Sequence, residues 1–264
     1  MRPASAPAIL GRAAGRGLAL FLDYDGTLTP IVERPEDAVL GEPMRAVLRA
    51  LAARWPVAIV SGRDLEDVCA RVGLAGLWYA GCHGFEIAGP RGGRVHEAAA
   101  AAAPQLGAAS DQVARETHDI PGVQLERKRF TLAVHYRRVP GARVHEVHEA
   151  VLRARARHPA LRVTEGKKVY ELQPDVDWDK GRAVLWLIET LQVPDVLPVY
   201  IGDDVTDEDA FRALAGRGVG IVVQEAPRPS AAALSLRSPD EVRELLAALA
   251  AGLTSLKPGA PARG

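Results

Sequence analysis

The chain has 264 residues, 48% hydrophobic and 25% charged, enough apolar material for one large domain or two moderate ones. Lys+Arg and Asp+Glu both total 33, so no net field would draw in nucleic acid or an anionic membrane. Two cysteines, Cys69 and Cys82, exclude a disulfide framework and point to a reducing cytoplasm, and no run approaches the roughly 18 apolar residues of a membrane span.

Residues 1–22 carry Arg2, Arg12 and Arg16 and no acid, and a short disordered leader is expected there. An apolar run then ends in FLDYDGTLTP (21–30), which sets Asp23 and Asp25 one residue apart. Four further runs, PVAIVSG (56–62), LWYAGCHG (77–84), LPVYIGDD (197–204) and GVGIVV (218–223), are apolar throughout, as suits parallel strands covered on both faces. Helical patterns lie between them at 42–54, 64–72, 179–192 and 206–216. Ser238-Pro239-Asp240-Glu241 supplies a cap, a first-turn proline and a capping-box acid for a last helix at 239–251. Strand alternating with helix predicts an α/β fold with a Rossmann-like parallel sheet. The tail SLKPGAPARG is expected to be disordered.

The alternation stops between about 105 and 175. Two longer segments, 124–137 and 161–174, flank a helical pattern at 143–158, which predicts an inserted α+β domain at 106–174 between core segments 1–105 and 175–264. Ala98–Ala103, followed by Pro104, reads as a linker or short helix. Over 106–174 there are 13 Lys+Arg against 8 Asp+Glu, so the insertion carries +5 and the remainder −5.

On a strand, residues i and i+2 share a face, so Asp23 and Asp25 are expected to point the same way. Crowded carboxylates repel unless a cation sits between them, and Mg²⁺ suits carboxylate and backbone oxygens. The other runs end in Ser61-Gly62, His83-Gly84 and Asp203-Asp204, with Asp207 and Asp209 close behind and Lys180 at a helix start. Ligands of open α/β sheets bind beyond the carboxyl ends of the strands, so these groups should meet around phosphate and Mg²⁺. Plainer roles compete with this one. Thr206, Asp207 and Asp209 could cap a helix, Ser61 could be an N-cap, Lys180 a solvated lysine, and His83 part of a tight turn. Arg153, Arg155 and Arg157 suit an exposed helix face, and His145 and His148 lack the HExxH spacing of a zinc site.

DYDGTLT (23–29), Ser61-Gly62-Arg63, Lys180-Gly181 and GDDVTDEDAF (202–211) resemble, in order, the four signatures of the haloacid dehalogenase superfamily. Within it, VSGR (60–63), GCHG (81–84), ERK (126–128), LAVHYR (132–137), EGKKVYELQP (165–174) and WDKG (178–181) resemble the trehalose-6-phosphate phosphatase family over roughly 18–225. EGKKVYELQP departs from that family's arginine-rich form.

The resemblance implies a haloacid dehalogenase core with an inserted cap acting as a lid, and a Mg²⁺-dependent phosphatase that works through an aspartyl-phosphate. It makes Asp23 the nucleophile and Asp25 the acid and base, with metal held by Asp23, the Asp25 carbonyl, Asp203 and Asp204, and with Asp207 beside them. It puts Gly26, Ser61, Gly62 and Lys180 on the phosphoryl group, and Arg63, His83, Glu126, Lys128, Arg137, Lys167 and Glu171 on the sugar. The expected partner is a small sugar phosphate, with no nucleic acid, no membrane and a monomeric state. Two alternatives stand beside this: a phosphatase of sucrose or mannosylglycerate phosphate, and a noncatalytic partner of a sugar-phosphate synthase.

Overall fold

Strand β2 (Gly17–Leu22) follows a two-residue strand β1 (Arg2–Pro3) and a helix α1 (Ala6–Ala13), and all of it beyond Gly17 is buried. Leu18, Leu20 and Leu22 enter one apolar cluster and Ala19 and Phe21 another, as a side-chain period of two requires. The structure, a computed structural model, describes residues 1–166 and 168–252. Lys167 and the tail expected to be disordered lie outside the described residues.

The chain continues through α2 (Glu42–Ala52), β3 (Val57–Val60), α3 (Leu65–Val72), β4 (Trp78–Gly81), β5 (Glu86–Gly89) and β6 (Gly92–Val95). A second run holds α4 (Glu97–Thr117), β7 (Gln124–Arg127), β8 (Leu132–His135), α5 (Val144–Arg157), β9 (Leu161–Gly166) and β10 (Val169–Pro174). It returns through α6 (Lys180–Leu191), β11 (Val196–Gly202), α7 (Asp207–Ala213), β12 (Val219–Val223), β13 (Leu234–Leu236) and α8 (Pro239–Gly252). These fall into two compact units, one of residues 1–92 with 178 onward, the other of Gly93–Asp177.

In the first unit the strands pair in the order β1-β13-β12-β11-β2-β3-β4-β5. The pairs from β1 to β4 are parallel and β4 with β5 is antiparallel. Helices cover both faces: Ile9, Met44, Leu48, Val68 and Leu246 join the cluster of Leu20, whereas Val184, Leu187 and Phe211 join that of Phe21. The ends of β2, β3, β4 and β11 therefore carry polar residues where the apolar cover stops. At α8, Ser238 Oγ accepts the Glu241 N–H at 3.3 Å and the Glu241 carboxylate accepts the Arg237 N–H at 2.8 Å, a capping arrangement at the expected place.

The leader differs from expectation. Ala6, Ile9 and Ala13, spaced three and four apart, make a buried stripe on α1, so the segment folds because it has an apolar face to cover. Of linker and short helix, the alanine run is helix, and a long one: α4 passes through Ala98–Ala103 and Pro104, burying Ala99, Ala102, Leu106, Ala109 and Val113 along one side. Alanine's high helix propensity supports such a run, and the second unit accordingly takes in residues that the sequence reading put in the core.

In that second unit the segments at 124–137 and 161–174 are each a hairpin, not one strand. The Lys128 N–H bonds the Thr131 carbonyl at 2.8 Å to close the first, and Lys168 adopts φ 67° in the second. The order is β7-β8-β10-β9, antiparallel throughout. Leu132, Val134, Leu172 and Leu161 share a core with Leu106 and Val113 of α4 and Val147 and Val151 of α5.

Candidate active site

Two parallel strands and one helix start bring the first group together. Asp23 follows β2 directly, Asp203 follows β11, and Lys180 opens α6, whose N-cap Asp179 accepts the Arg182 N–H. Lys180 is only 3% exposed. Its Nζ donates to Asp23 Oδ1 at 2.8 Å and to Asp207 Oδ1 at 2.7 Å. Burial opposes its charge, but Asp207 and Asp23 outweigh that and hold the ammonium well above the usual lysine range. The solvated-lysine alternative is thereby removed.

Asp207 is wholly buried. Besides Lys180 it accepts the Tyr200 hydroxyl at 2.6 Å on Oδ1, and on Oδ2 the N–H groups of Asp203 and Asp204, each at 2.9 Å. It is thus more than a first-turn acid, because its carboxylate fixes the turn that carries Asp203. Only its place in the long-range network distinguishes it from a capping residue in the sequence.

Asp23, Asp203 and Asp207 each offer an oxygen, all within 4.8 Å of one another. Burial, and then the charges of Asp207 and Asp204, push Asp203 up to about 7. Asp23 is raised well above the carboxylate range by burial and by Asp207 and Asp203, against the pull of Lys180. Crowding that one lysine leaves uncompensated suits a hard divalent cation, and this donor set of carboxylate oxygens fits Mg²⁺. Asp204, expected among the ligands, is exposed and outside this group. Gly26 has φ 76°, and a Cβ there would lie 2.1 Å from Asp203 Oδ2. Its bareness lets the Asp203 carboxylate close on the DYDG turn.

Asp25 departs from the same-face expectation. Strand β2 ends at Leu22, before either aspartate, so strand periodicity does not reach them. Asp25 is taken by Arg63, whose Nε reaches Oδ2 at 2.7 Å and whose Nη2 reaches Oδ1 at 2.6 Å. The same guanidinium donates to Asp67 at 2.9 Å and to the Pro35 carbonyl at 2.8 Å, and Arg63 is 8% exposed. Expected on the sugar, Arg63 is instead turned onto the second aspartate. Asp67, in the DLEDV stretch, had no signal beyond its helical first-turn position.

Ser61 is 1% exposed, and its Oγ accepts the Arg63 N–H at 3.1 Å. The N-cap of α3 is Asp64 rather than Ser61. His83 has φ 57°, directly after Cys82 at 48°, and its N–H bonds the Ser61 carbonyl at 2.9 Å. A Cβ at Gly62 would lie 2.7 Å from the His83 ring. The 82–84 turn thus stacks on the Ser61-Gly62 loop, and such left-handed backbone persists only where surroundings over-determine it.

In the second unit, Glu126 faces Ala133 across β7–β8, and Glu171 faces Ala133 and Thr164 in β8–β10–β9. Directly opposed residues share a face, so Glu126 and Glu171 stand two strands, or about 10 Å, apart over Ala133. Glu126 accepts from His135 Nε2 at 3.2 Å and lies 3.4 Å from Lys128 Nζ. These partners hold it at about 2, against a partial burial that opposes them. Arg137 is exposed. His135, two residues from Ala133 on the same face, was missed as a separate candidate, although the strand period marks it.

The family model described as trehalose-phosphatase matches residues 21–242. A curated trehalose-phosphate phosphatase of Mycobacterium marinum is 47% identical over 257 residues, covering 94% of this chain and 66% of that protein. One of Mycobacterium tuberculosis is 49% identical over 252 residues, covering 91% of this chain and 64% of its own. The chain therefore spans just under two thirds of the length of these relatives. The solved C-terminal domain of trehalose-6-phosphate phosphatase from C. albicans aligns with a TM-score of 0.77 at 26% identity, over 95% of this chain and 98% of that one.

Proposed function

The chain belongs to the trehalose-phosphatase family, and we propose that it is a Mg²⁺-dependent phosphatase that hydrolyses trehalose 6-phosphate to trehalose and phosphate. The observation that carries this is Lys180, buried between Asp23 and Asp207. A cation so placed offsets charge where a dianionic phosphoryl group must approach a carboxylate, which is the main demand of phosphoryl transfer.

Asp23 attacks phosphorus, the bond from phosphorus to the sugar oxygen breaks, and Asp25 gives that oxygen its proton. Asp25 then takes a proton from water as the water oxygen attacks the aspartyl-phosphate, and phosphate leaves with Asp23 restored. Arg63 fixes Asp25 between these two tasks. Ser61, Gly62 and Lys180 bind the phosphoryl oxygens, with His83 supporting their loop. Asp23, the Asp25 carbonyl and Asp203 would hold Mg²⁺, which when bound neutralises phosphoryl charge and fixes its orientation. Asp207 acts behind them, on Lys180 and on the turn of Asp203.

Glu126 and Glu171, with Lys128, address sugar hydroxyls from the polar sheet face of the second unit, which serves as cap, and Lys167 is assigned to the same task on its place in EGKK alone. Charged groups bonded to hydroxyls reject analogues that lack them. Arg137, exposed, belongs to the rim of that surface. We further place the protein in the cytoplasm as a monomer. Among the described residues no helix is long and apolar enough to cross a membrane, and Cys69 and Cys82 are not joined in a disulfide.

The test is phosphate release across trehalose 6-phosphate, sucrose 6-phosphate and mannosylglycerate phosphate, with Mg²⁺ and with EDTA, for the wild type and Asp23→Asn. Turnover confined to trehalose 6-phosphate, abolished by EDTA and by Asp23→Asn, is expected. Preference for another sugar phosphate would move the substrate assignment, and no turnover at all would favour the noncatalytic partner of a synthase.

A further inference from the structure

Beyond the four signatures, the loop between β12 and β13 reaches back to the turn after β11. Arg228, in that loop, donates from Nη2 to the backbone carbonyl of Asp203 at 2.6 Å. Its Nη1 lies 3.8 Å from Glu208 Oε1, and Glu208, 7% exposed, accepts the Ala231 N–H at 2.7 Å on its other oxygen. The Asp203 N–H is meanwhile bonded to Asp207. Both polar groups of the Asp203 backbone are therefore fixed from opposite directions, one by α7 and one by the 224–232 loop, and with them the aim of the Asp203 carboxylate. Arg228 also lines an open cleft of about 870 Å³ that runs against Gly26 and Asp203.

We infer that Arg228 is a positioning residue for the metal, acting through the Asp203 backbone. This rests on the reading of Asp203 as a Mg²⁺ ligand. The effect of removing Arg228 then has the opposite sign from simple electrostatics. Arg228 is a cation near a cation site, and Glu208 stays buried behind it, so deleting the guanidinium by charge alone should tighten Mg²⁺ binding. A positioning role requires the opposite, since groups that orient a ligand are worth about 10–100-fold in metal affinity. Lysine in its place retains one donor and the charge but not the fork.

The experiment measures MgCl₂ binding by calorimetry to the whole protein, for wild type, Arg228→Met, Arg228→Lys and Asp203→Asn, beside phosphate release at saturating Mg²⁺. Arg228→Met should bind Mg²⁺ about tenfold more weakly, with kcat at saturating metal and KM for the sugar phosphate nearly unchanged. Arg228→Lys should recover most of the affinity. Unchanged or tighter binding by Arg228→Met, while Asp203→Asn is weakened, would overturn the role of Arg228 alone. Unchanged binding by Asp203→Asn would overturn the reading of Asp203 and this inference with it. Should Arg228→Met fail to fold, Arg228→Gln, neutral and too short to keep the bond to the Asp203 carbonyl, decides: Mg²⁺ binding several-fold weaker than wild type, with an intact circular dichroism spectrum, supports the role, and equal or tighter binding overturns it.

Discussion

The ionisable groups of the two units are held in opposite ways. In the first, Lys180 and Asp207 are 3% and 0% exposed and each is bonded to several partners. On the sheet face of the second, Glu126 and His135 are 37% and 39% exposed and share one longer contact. A buried charge must be compensated on the spot, so the first group is rigid and its loss is costly. A half-exposed charge is screened and replaceable by water, so the second can exchange partners, as the proposed sugar-binding role requires. Under the proposed function, the buried groups would do the chemistry and the half-exposed ones would choose its substrate.

The sharpest way to break this comparison is Lys180→Met, which nearly preserves volume but strands Asp23 and Asp207. It should lower stability by about 3–5 kcal/mol and abolish turnover, as read by urea unfolding in EDTA and by phosphate release. A variant as stable as the wild type would mean that the buried pair is not compensated by this lysine.

Glu126→Ala and Glu171→Ala should leave turnover of p-nitrophenyl phosphate within about twofold, while each lowers turnover of trehalose 6-phosphate about tenfold or more, the worth of one lost bond to a charged group. Equal loss on both substrates would assign these residues to folding, and no loss on either would make them plain surface charge.

The smallest effect is one of pH. Glu126 is held at about 2 by His135 and Lys128, below its unfolded value, so its contribution is complete above the unfolded value and is lost as pH falls through about 2. The stability gap between wild type and Glu126→Gln should thus narrow as pH falls below about 4.5. Urea unfolding at a series of pH values reads it. A gap that is constant down to pH 3 would show that Glu126 is not stabilised by these neighbours.

Much of this was legible in short windows. Continuous apolar runs marked β2, β3, β4, β11 and β12, and the polar residues that ended them marked the site, because burial on both faces leaves only strand ends free for charge. The same reading erred where a weak local signal hid a tertiary reward. Residues 6–13 looked like a leader, yet Ile9 and Ala13 are buried, and the alanine run, equally a linker or a short helix in its own window, is part of a continuous helix of 21 residues with one covered side.

The amino-acid sequence by itself determined which residues could sit at strand ends, which helices had an apolar stripe, and that Asp23, Ser61, Lys180 and Asp203 fall where strands end or a helix starts. These follow from local sterics and burial, whose periods of 2 and 3.6 residues fit within any window of the chain. Only the tertiary structure decided partners: Lys180 with Asp23 across 157 positions, Arg63 on Asp25 rather than on the sugar, Asp207 beneath the Asp203 turn, Arg228 on the Asp203 carbonyl. Those pairings depend on strand order and on the registers between β2, β11 and their neighbours. Order and register are settled by the packing of the whole sheet against its helices, and no local stretch contains them.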